Sequence, residues 1–248
     1  MIIDTHAHVY AYQDWGRLAE ALDRYGIDRI YLSNPDELGG FYPSTDQIDR
    51  QNRIVCDFVR QNPKKARYMC YVNPALDSTI DTLKKAVEED DAKGIKLWVA
   101  TTCNSPQVNK VAEFAIDHDL PILIHTFHKY HLQLADESTG EHVAALAGRY
   151  PEAKLIMAHL GGDAYHGLKY IRNHRNVWTD VSGSNFRNGD VEYAVKIVGE
   201  DRILFGTDAF SMPFHTNIGK VDGAAISEQT KEKIFWKNAF RLFGEEIG

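Results

Sequence analysis

Along this chain, short hydrophobic runs rich in Ile, Val and Leu alternate with longer stretches in which apolar residues return every third or fourth position. The short runs read as buried strands, and the longer spacing reads as helices with one apolar stripe. Ile2 to His8 opens the chain as a strand. Further strands are predicted at Asp28–Ser33, Arg67–Val72, Gly94–Trp98, Ile122–His125, Lys154–His159, Val177–Val181 and Ile203–Phe205. Helices are predicted at Trp15–Tyr25, Ser44–Asn62, Thr79–Asp90, Ser105–His118, His142–Tyr150, Asp163–Arg172 and Asp190–Val198, with a closing helix at Glu228–Phe243. Gly26, Pro63 and Pro151 stop three of them, as glycine and proline do just past a helix end.

Strand and helix thus alternate about eight times, and no Gly/Ser-rich linker or charge run divides the series. Such alternation implies parallel βαβ units. The 248 residues match the roughly 250 of a closed eight-stranded barrel. The predicted fold is therefore α/β, one (β/α)8 TIM barrel domain over residues 1–248. A doubly wound open sheet is the structural rival. It would not converge residues from the ends of the first, fifth, sixth and eighth strands on one point, whereas a closed barrel does.

Composition narrows the function classes. A net charge of −7 weighs against a protein that coats nucleic acid or an anionic membrane, although a small anionic substrate remains compatible. No apolar run approaches the ~18 residues of a membrane span, and no basic leader precedes the first strand, so the chain reads as cytoplasmic. Cys56, Cys70 and Cys103 are widely spaced without a C-x-x-C pair, which favours buried thiols over a disulfide framework or a Cys-rich zinc site. Whether the chain forms a homo-oligomer is left open.

The candidate chemistry lies at the strand ends. Alternation along the first strand points His6 and His8 to one side, so both imidazoles can face one metal ion. Later hydrophobic runs also end in ligand-type residues: Ile124-His125, Ala158-His159 and Gly206-Thr207-Asp208. Buried strand followed at once by His or Asp, repeated along the chain, describes a site built at strand C-termini. A lone histidine at any one of these places would read as a satisfied strand-end residue; their coincidence favours a site.

These motifs resemble the amidohydrolase superfamily, and most closely its branch of decarboxylases, lactonases and hydratases. Thr5-His6-Ala7-His8 matches the H-x-H of the first strand, His125 the fifth-strand His, His159 in Ala-His-Leu-Gly-Gly the sixth-strand His, and Asp208 the eighth-strand Asp. Trp236 to Gly244 is similar to that branch's closing helix. The resemblance implies metal ligation by His6, His8, His125 and Asp208, with Asp208 and His159 as catalytic groups. It implies Zn²⁺ or another divalent ion such as Mn²⁺, one ion rather than two. Asp208 is then placed to take a proton from metal-bound water, and His159 to hydrogen-bond the water or a developing oxyanion.

Lys96 sits on the fourth strand, where binuclear relatives carry a carboxylated lysine; an amine facing an anionic substrate and a plain salt bridge are the other readings. Arg187 and His128 are candidate substrate contacts, with His131, His166 and His215 in loops on the same face. Tyr10, Tyr12, Trp15, Trp98, Phe127 and Phe210 are candidates for an aromatic lining, with packing above the barrel as the alternative. The expected activity is hydrolysis of a small carbonyl compound such as a lactone or amide. The alternative on the same scaffold is non-oxidative decarboxylation of a small aromatic or unsaturated acid. The length of the loops favours hydrolysis, because decarboxylase relatives usually carry larger lids. A non-catalytic, metal-free binding barrel is the non-enzyme alternative.

Overall fold

A computed structural model describes residues 1–184, 187–209 and 212–244. Eight parallel strands run in sequence order around a barrel: β1 (Ile3–His8), β2 (Arg29–Ser33), β3 (Ala66–Tyr71), β4 (Gly94–Leu97), β5 (Ile122–Ile124), β6 (Leu155–Met157), β7 (Val177–Asp180) and β8 (Ile203–Leu204). The ring is closed by β1 against the segment after β8. The Thr5 amide donates to the Phe205 carbonyl at 2.9 Å, and Ala7 forms a parallel bridge with Ala209. The helices between strands are α1 (Trp15–Arg24), α2 (Thr45–Gln61), α3 (Thr79–Glu88), α4 (Asn109–Asp117), α5 (Gly140–Arg149), α6 (Ala164–Ile171) and α7 (Asp190–Val198). The chain is one (β/α)8 TIM barrel, as the alternation predicts. Among the described residues no helix is long and apolar enough to cross a membrane. Cys56, Cys70 and Cys103 are free and buried.

Side-chain alternation sorts the core into two parts. Outward-facing strand residues such as Ile30, Leu32, Cys70, Ile95, Ile124 and Leu155 pack against the helices. Inward-facing Ile3, Tyr31, Met69, Leu123, Ile156 and Leu204, with Trp178, fill the lower barrel. At β4 the corresponding position is Gly94, because Met69 already occupies the space: a Cβ there would lie 2.6 Å from the methionine's Sδ and Cε. One layer nearer the strand C-termini, the inward positions are Ser33, Tyr71, Lys96 and Asp180, a polar layer over an apolar one.

The first strand reaches that layer only because it is irregular. Asp4 pairs with Ile30 and Ala7 with Leu32, so three residue steps of β1 oppose two of β2. Such a bulge reverses the phase of alternation. Ile3 therefore faces the apolar barrel floor while Ala7 faces the helices, and His6 and His8 face the interior.

Three element expectations change. A helix absent from the sequence reading, α8 (Phe214–Asp222), follows β8; its Gly219 and its β-branched Thr216, Ile218 and Val221 give it weak intrinsic helix propensity. The closing helix is broken into α9 (Glu228–Glu232), a π turn (Lys233–Lys237) and α10 (Asn238–Phe243). The π turn frees the Ile234 carbonyl to accept from the Phe205 amide at 2.9 Å, and Asn238 donates to the Ile203 and Glu200 carbonyls. This segment plugs the barrel floor through Ala239 and Leu242, with Phe243 stacked on Tyr31. Finally, β6 ends at Met157 rather than at His159. His159 and Leu160 take positive φ values of 60° and 51° in a tight turn.

Arg202, buried at 7% exposure, ties three segments together. Its guanidinium donates to the carbonyls of Ile171, Arg172, His174, Val177 and Val198, from the end of α6 and the turn after it, from α7 and from the start of β7. Removing it leaves buried carbonyls unpaired. Arg202→Met is expected to destabilise the fold by about 3 kcal/mol, and Arg202→Lys to recover only part, since one ammonium cannot reach five acceptors. Denaturant midpoints of the three proteins check this; a Met variant as stable as the parent would refute it.

Candidate metal and catalytic site

His6, His8 and Asp208 meet at the C-terminal mouth of the barrel. One ligand atom from each lies within 4.8 Å of the others. His8 Nε2 is 3.1 Å and His6 Nε2 is 3.7 Å from Asp208 Oδ1. Asp208 is brought there by the closure of the ring, since its amide donates to the His6 carbonyl at 2.7 Å, and its backbone takes a positive φ of 59°.

The far side of each imidazole is held. His6 Nδ1 donates to Asp180 Oδ2 at 3.0 Å, which leaves Nε2 as the acceptor for Lys96 Nζ at 2.8 Å. His8 Nδ1 faces the Ser33 carbonyl at 3.3 Å and the Ser33 hydroxyl at 3.1 Å. Burial, with Lys96 adding to it, pulls His6 down to about 4, so the ring is neutral near pH 7 and Nε2 carries a lone pair. Two imidazole nitrogens and one carboxylate oxygen, oriented from behind, suit a divalent transition-metal ion.

Asp180 is the buried hub behind this group. It accepts from His6, from the His159 amide at 3.0 Å, from the Ser182 amide at 3.0 Å and from the Ser182 hydroxyl. Burial alone would raise its carboxyl; the His6 ring, with His159 and Ser182, outweighs burial and holds it below the usual carboxylate range. Ser182 Oγ in turn lies 2.8 Å from His159 Nδ1, and Gly183 lets that ring approach: its φ is 84°, and a Cβ would sit 2.7 Å from His159 Nδ1. His6, His159 and Asp180 also fall within one ligand-type group, but its internal hydrogen bonds make it the support for the first group.

His125 stands apart from both groups. Its Nε2 is 3.0 Å from buried Glu137 and its Nδ1 is 3.3 Å from His159 Nε2. Glu137 also accepts from Lys129 and Gln133. Burial tends to raise the Glu137 carboxyl, and the bonds from His125 and Lys129 bring it below its ordinary value. For Asp208 burial likewise tends upward, yet the rings of His159, His8 and His6 together hold it well below the carboxylate range. Lys96 is fully enclosed, and burial lowers it to about 8.

The remaining candidates lie at the rim or away from it. Arg187 pairs with Asp163 at 3.2 Å and Asp190 at 3.5 Å, and lines a cavity of about 300 Å³ that His159 and Ser182 also border. His128 stacks on His166, with ring centroids 4.5 Å apart. His131 is exposed, and the His215 ring lies beside Tyr25 on the outer surface. Phe127 is within 6.3 Å of the His125 ring and 6.0 Å of the His159 ring, and Trp98 packs on Phe41. Tyr10 stacks on Tyr12 beside His8, whereas Trp15 packs edge-on against Phe58, outside the barrel. Phe210 lies outside the described residues. Sequence reasoning missed Asp180, Ser182 and Glu137. For Asp180 a signal was there, because Thr179-Asp180 ends a hydrophobic strand just as Ile124-His125 does.

A γ-resorcylate decarboxylase from Polaromonas sp. is 29% identical over 136 residues, which span 43% of this chain and 40% of that relative. Among solved structures, a dihydroxybenzoic acid decarboxylase from Polaromonas sp., holding manganese and the inhibitor 2-nitroresorcinol, superposes with a TM-score of 0.79 at 20% identity over 98% of this chain and 96% of that one. A 5-carboxyvanillate decarboxylase from Sphingomonas paucimobilis gives 0.78 at 17% identity over 99% of both chains. A 4-oxalomesaconate hydratase from Rhodopseudomonas palustris gives 0.76 at 16% identity, over 98% of this chain and 96% of that one. The expectation of hydrolysis is corrected here: three of these four relatives are decarboxylases, the alternative reaction, the fourth is a hydratase, and the one whose metal is named holds manganese rather than zinc. The sequence profile of the amidohydrolase family matches residues 3–244, and this chain belongs to that family.

Proposed function

We propose that this protein is a metal-dependent, non-oxidative decarboxylase of a small hydroxylated aromatic acid. The observation that carries the reading is the His6, His8 and Asp208 group, each imidazole fixed from behind, in a chain related to a γ-resorcylate decarboxylase. His6, His8 and Asp208 would hold a divalent ion, manganese or zinc, with His125 within the same mouth. Such an ion supplies positive charge for a carboxylate or neighbouring hydroxyl oxygen.

The protein's own groups do the rest. Asp208 hands a proton to the ring carbon that bears the carboxylate. The bond from that carbon to the carboxylate carbon breaks, its electron pair stays on the ring, and CO2 leaves, so each turnover consumes one proton. Asp208 is 20% exposed, so it can be reloaded from solvent at the mouth. His159, held by Ser182, steadies the charge beside it. Lys96, whose amine would yield the His6 Nε2 lone pair to a bound ion, is read as an unmodified amine that adds a cation for an anionic substrate. The ion pairs of Arg187 and the stacking of His128 favour roles in shaping the rim.

Chelation is expected to abolish turnover of 2,6-dihydroxybenzoate, and added Mn²⁺ or Zn²⁺ to restore it; full turnover by metal-free protein would refute the reading. Asp208→Asn is expected to lower kcat by about 10²- to 10⁴-fold per bound ion, with metal content measured on the same sample. In D2O the product ring should gain one deuterium at the vacated carbon, and no solvent ¹⁸O should enter the aromatic product. Solvent oxygen in a product acid would mean hydrolysis instead.

A further inference from the structure

Buried phenols in folded proteins almost always find a hydrogen-bond partner, because a desolvated hydroxyl without one destabilises the fold. Tyr71 is an exception. Its side chain is fully enclosed, and its Oη has no hydrogen-bond partner among the described residues. It sits at the C-terminal end of β3, two positions beyond Met69 of the barrel floor, and so faces the interior one layer closer to the mouth. Lys96, whose amine reaches His6, is its register partner on β4.

The residue is held firmly in place. Asn52 on α2 clamps its backbone from both sides, accepting from the Tyr71 amide at 3.0 Å and donating to its carbonyl at 2.9 Å. Two further unpaired atoms belong to the same sector. Gln51 precedes Asn52 on α2 and donates to the Asn34 carbonyl at 2.8 Å, yet Gln51 Oε1 and Asn34 Oδ1 are both buried without a partner. Asn34 directly follows Ser33, which holds His8. Three of the four buried unpaired side-chain atoms among the described residues therefore lie on the β2–β3 side of the mouth. Two can only accept, and the third can donate or accept.

We propose that the Tyr71 hydroxyl contacts the substrate, bonding a ring hydroxyl of the bound aromatic acid and selecting for acids that carry it. The proposal rests on the decarboxylase reading for its ligand class. The buried Tyr71 phenol is raised by burial first and by Asp36 second, so it stays protonated and keeps its donor. Asp36, in the loop after β2, acts on Lys96 as well, and Lys96 is the register partner of Tyr71.

The test compares two unreactive analogues that differ by one hydroxyl, 2-nitroresorcinol and 2-nitrophenol, binding to Mn²⁺-loaded protein and followed by calorimetry. The parent protein is expected to prefer 2-nitroresorcinol by about tenfold or more, as a site built to bond a hydroxyl does. Tyr71→Phe should bring the two affinities within about twofold while the melting temperature stays level or rises, because an unpaired buried hydroxyl has been removed. An unchanged preference in Tyr71→Phe overturns the proposal, as does equal weakening of both ligands with a lower melting temperature, which would mark a structural role. If neither analogue binds the parent, both the subsite and the aromatic reading fall. Discrimination lost in Tyr71→Phe without turnover of any aromatic acid would uphold the subsite and reject the decarboxylase.

Discussion

Closure of the barrel is the constraint on which the site depends. His6 and Asp208 are far apart in the chain, and they meet only because β1 hydrogen-bonds the segment that follows β8. The Thr207 and Asp208 amides both donate to the His6 carbonyl, and the Thr5 hydroxyl donates to the Phe205 carbonyl. Asp4 locks the same seam: it accepts from the Thr207 amide at 3.0 Å and from the Thr207 hydroxyl. Burial raises the Asp4 carboxyl to about 7, which reflects how completely this seam excludes water. A small opening between the first and last strands would separate two of the three grouped ligand-type residues at once.

The polar layer above the apolar floor is costly to maintain. Asp180, His6, His159 and Lys96 are all nearly or fully enclosed; His6 bonds both Asp180 and Lys96, and the His159 ring is held by Ser182 and His125. Such a network is stabilising only while every member is paired. Backbone strain adds to the cost, with His159, Leu160 and Asp208 all at positive φ. The hydrogen bonds from the His159 amide to Asp180 and from the Asp208 amide to His6 hold two of those residues there. Strain concentrated where the chemistry-bearing groups lie is the usual pattern of a functional site.

The fold was legible because eight hydrophobic runs carry a period of two and the intervening stretches carry a helical period. The triad of His6, His8 and Asp208 was legible for a related reason, since ligand-type residues end otherwise apolar strands. The bulge in β1 was not. The His6 and His8 alternation was read correctly without it, but only the bulge lets Ile3 share their interior face. Helix α8 escaped notice because its stability comes from packing Phe214 and Val221 rather than from its own propensity. Glu137 was hidden because it lies far along a loop from His125, and pairing across a loop leaves no period to read. Tyr71 read as one more strand aromatic, since a missing hydrogen bond is a property of the assembled interior alone. The reaction class was misjudged for a different reason: the motifs fix a scaffold and a ligand set that several chemistries share.

On the decarboxylase reading, the electrostatics around Asp208 acquire a specific use. A base that takes a proton from water works best when its pKa is near the working pH. Burial tends to raise this carboxyl, but the rings of His159, His8 and His6 outweigh it and hold it well below its ordinary value, which makes it a weak base. The same surroundings make it a strong acid once a proton has been loaded. Protonating an aromatic carbon is difficult, because the ring's delocalisation is lost as the new bond forms, so a strong acid beside that carbon lowers the barrier more than a weak one. The protonated form is then scarce at neutral pH, and partial exposure of Asp208 at the mouth lets solvent replenish it. Low occupancy is thus exchanged for high driving force, a compromise suited to an acid that must reach carbon and poorly suited to a base that must take a proton from water.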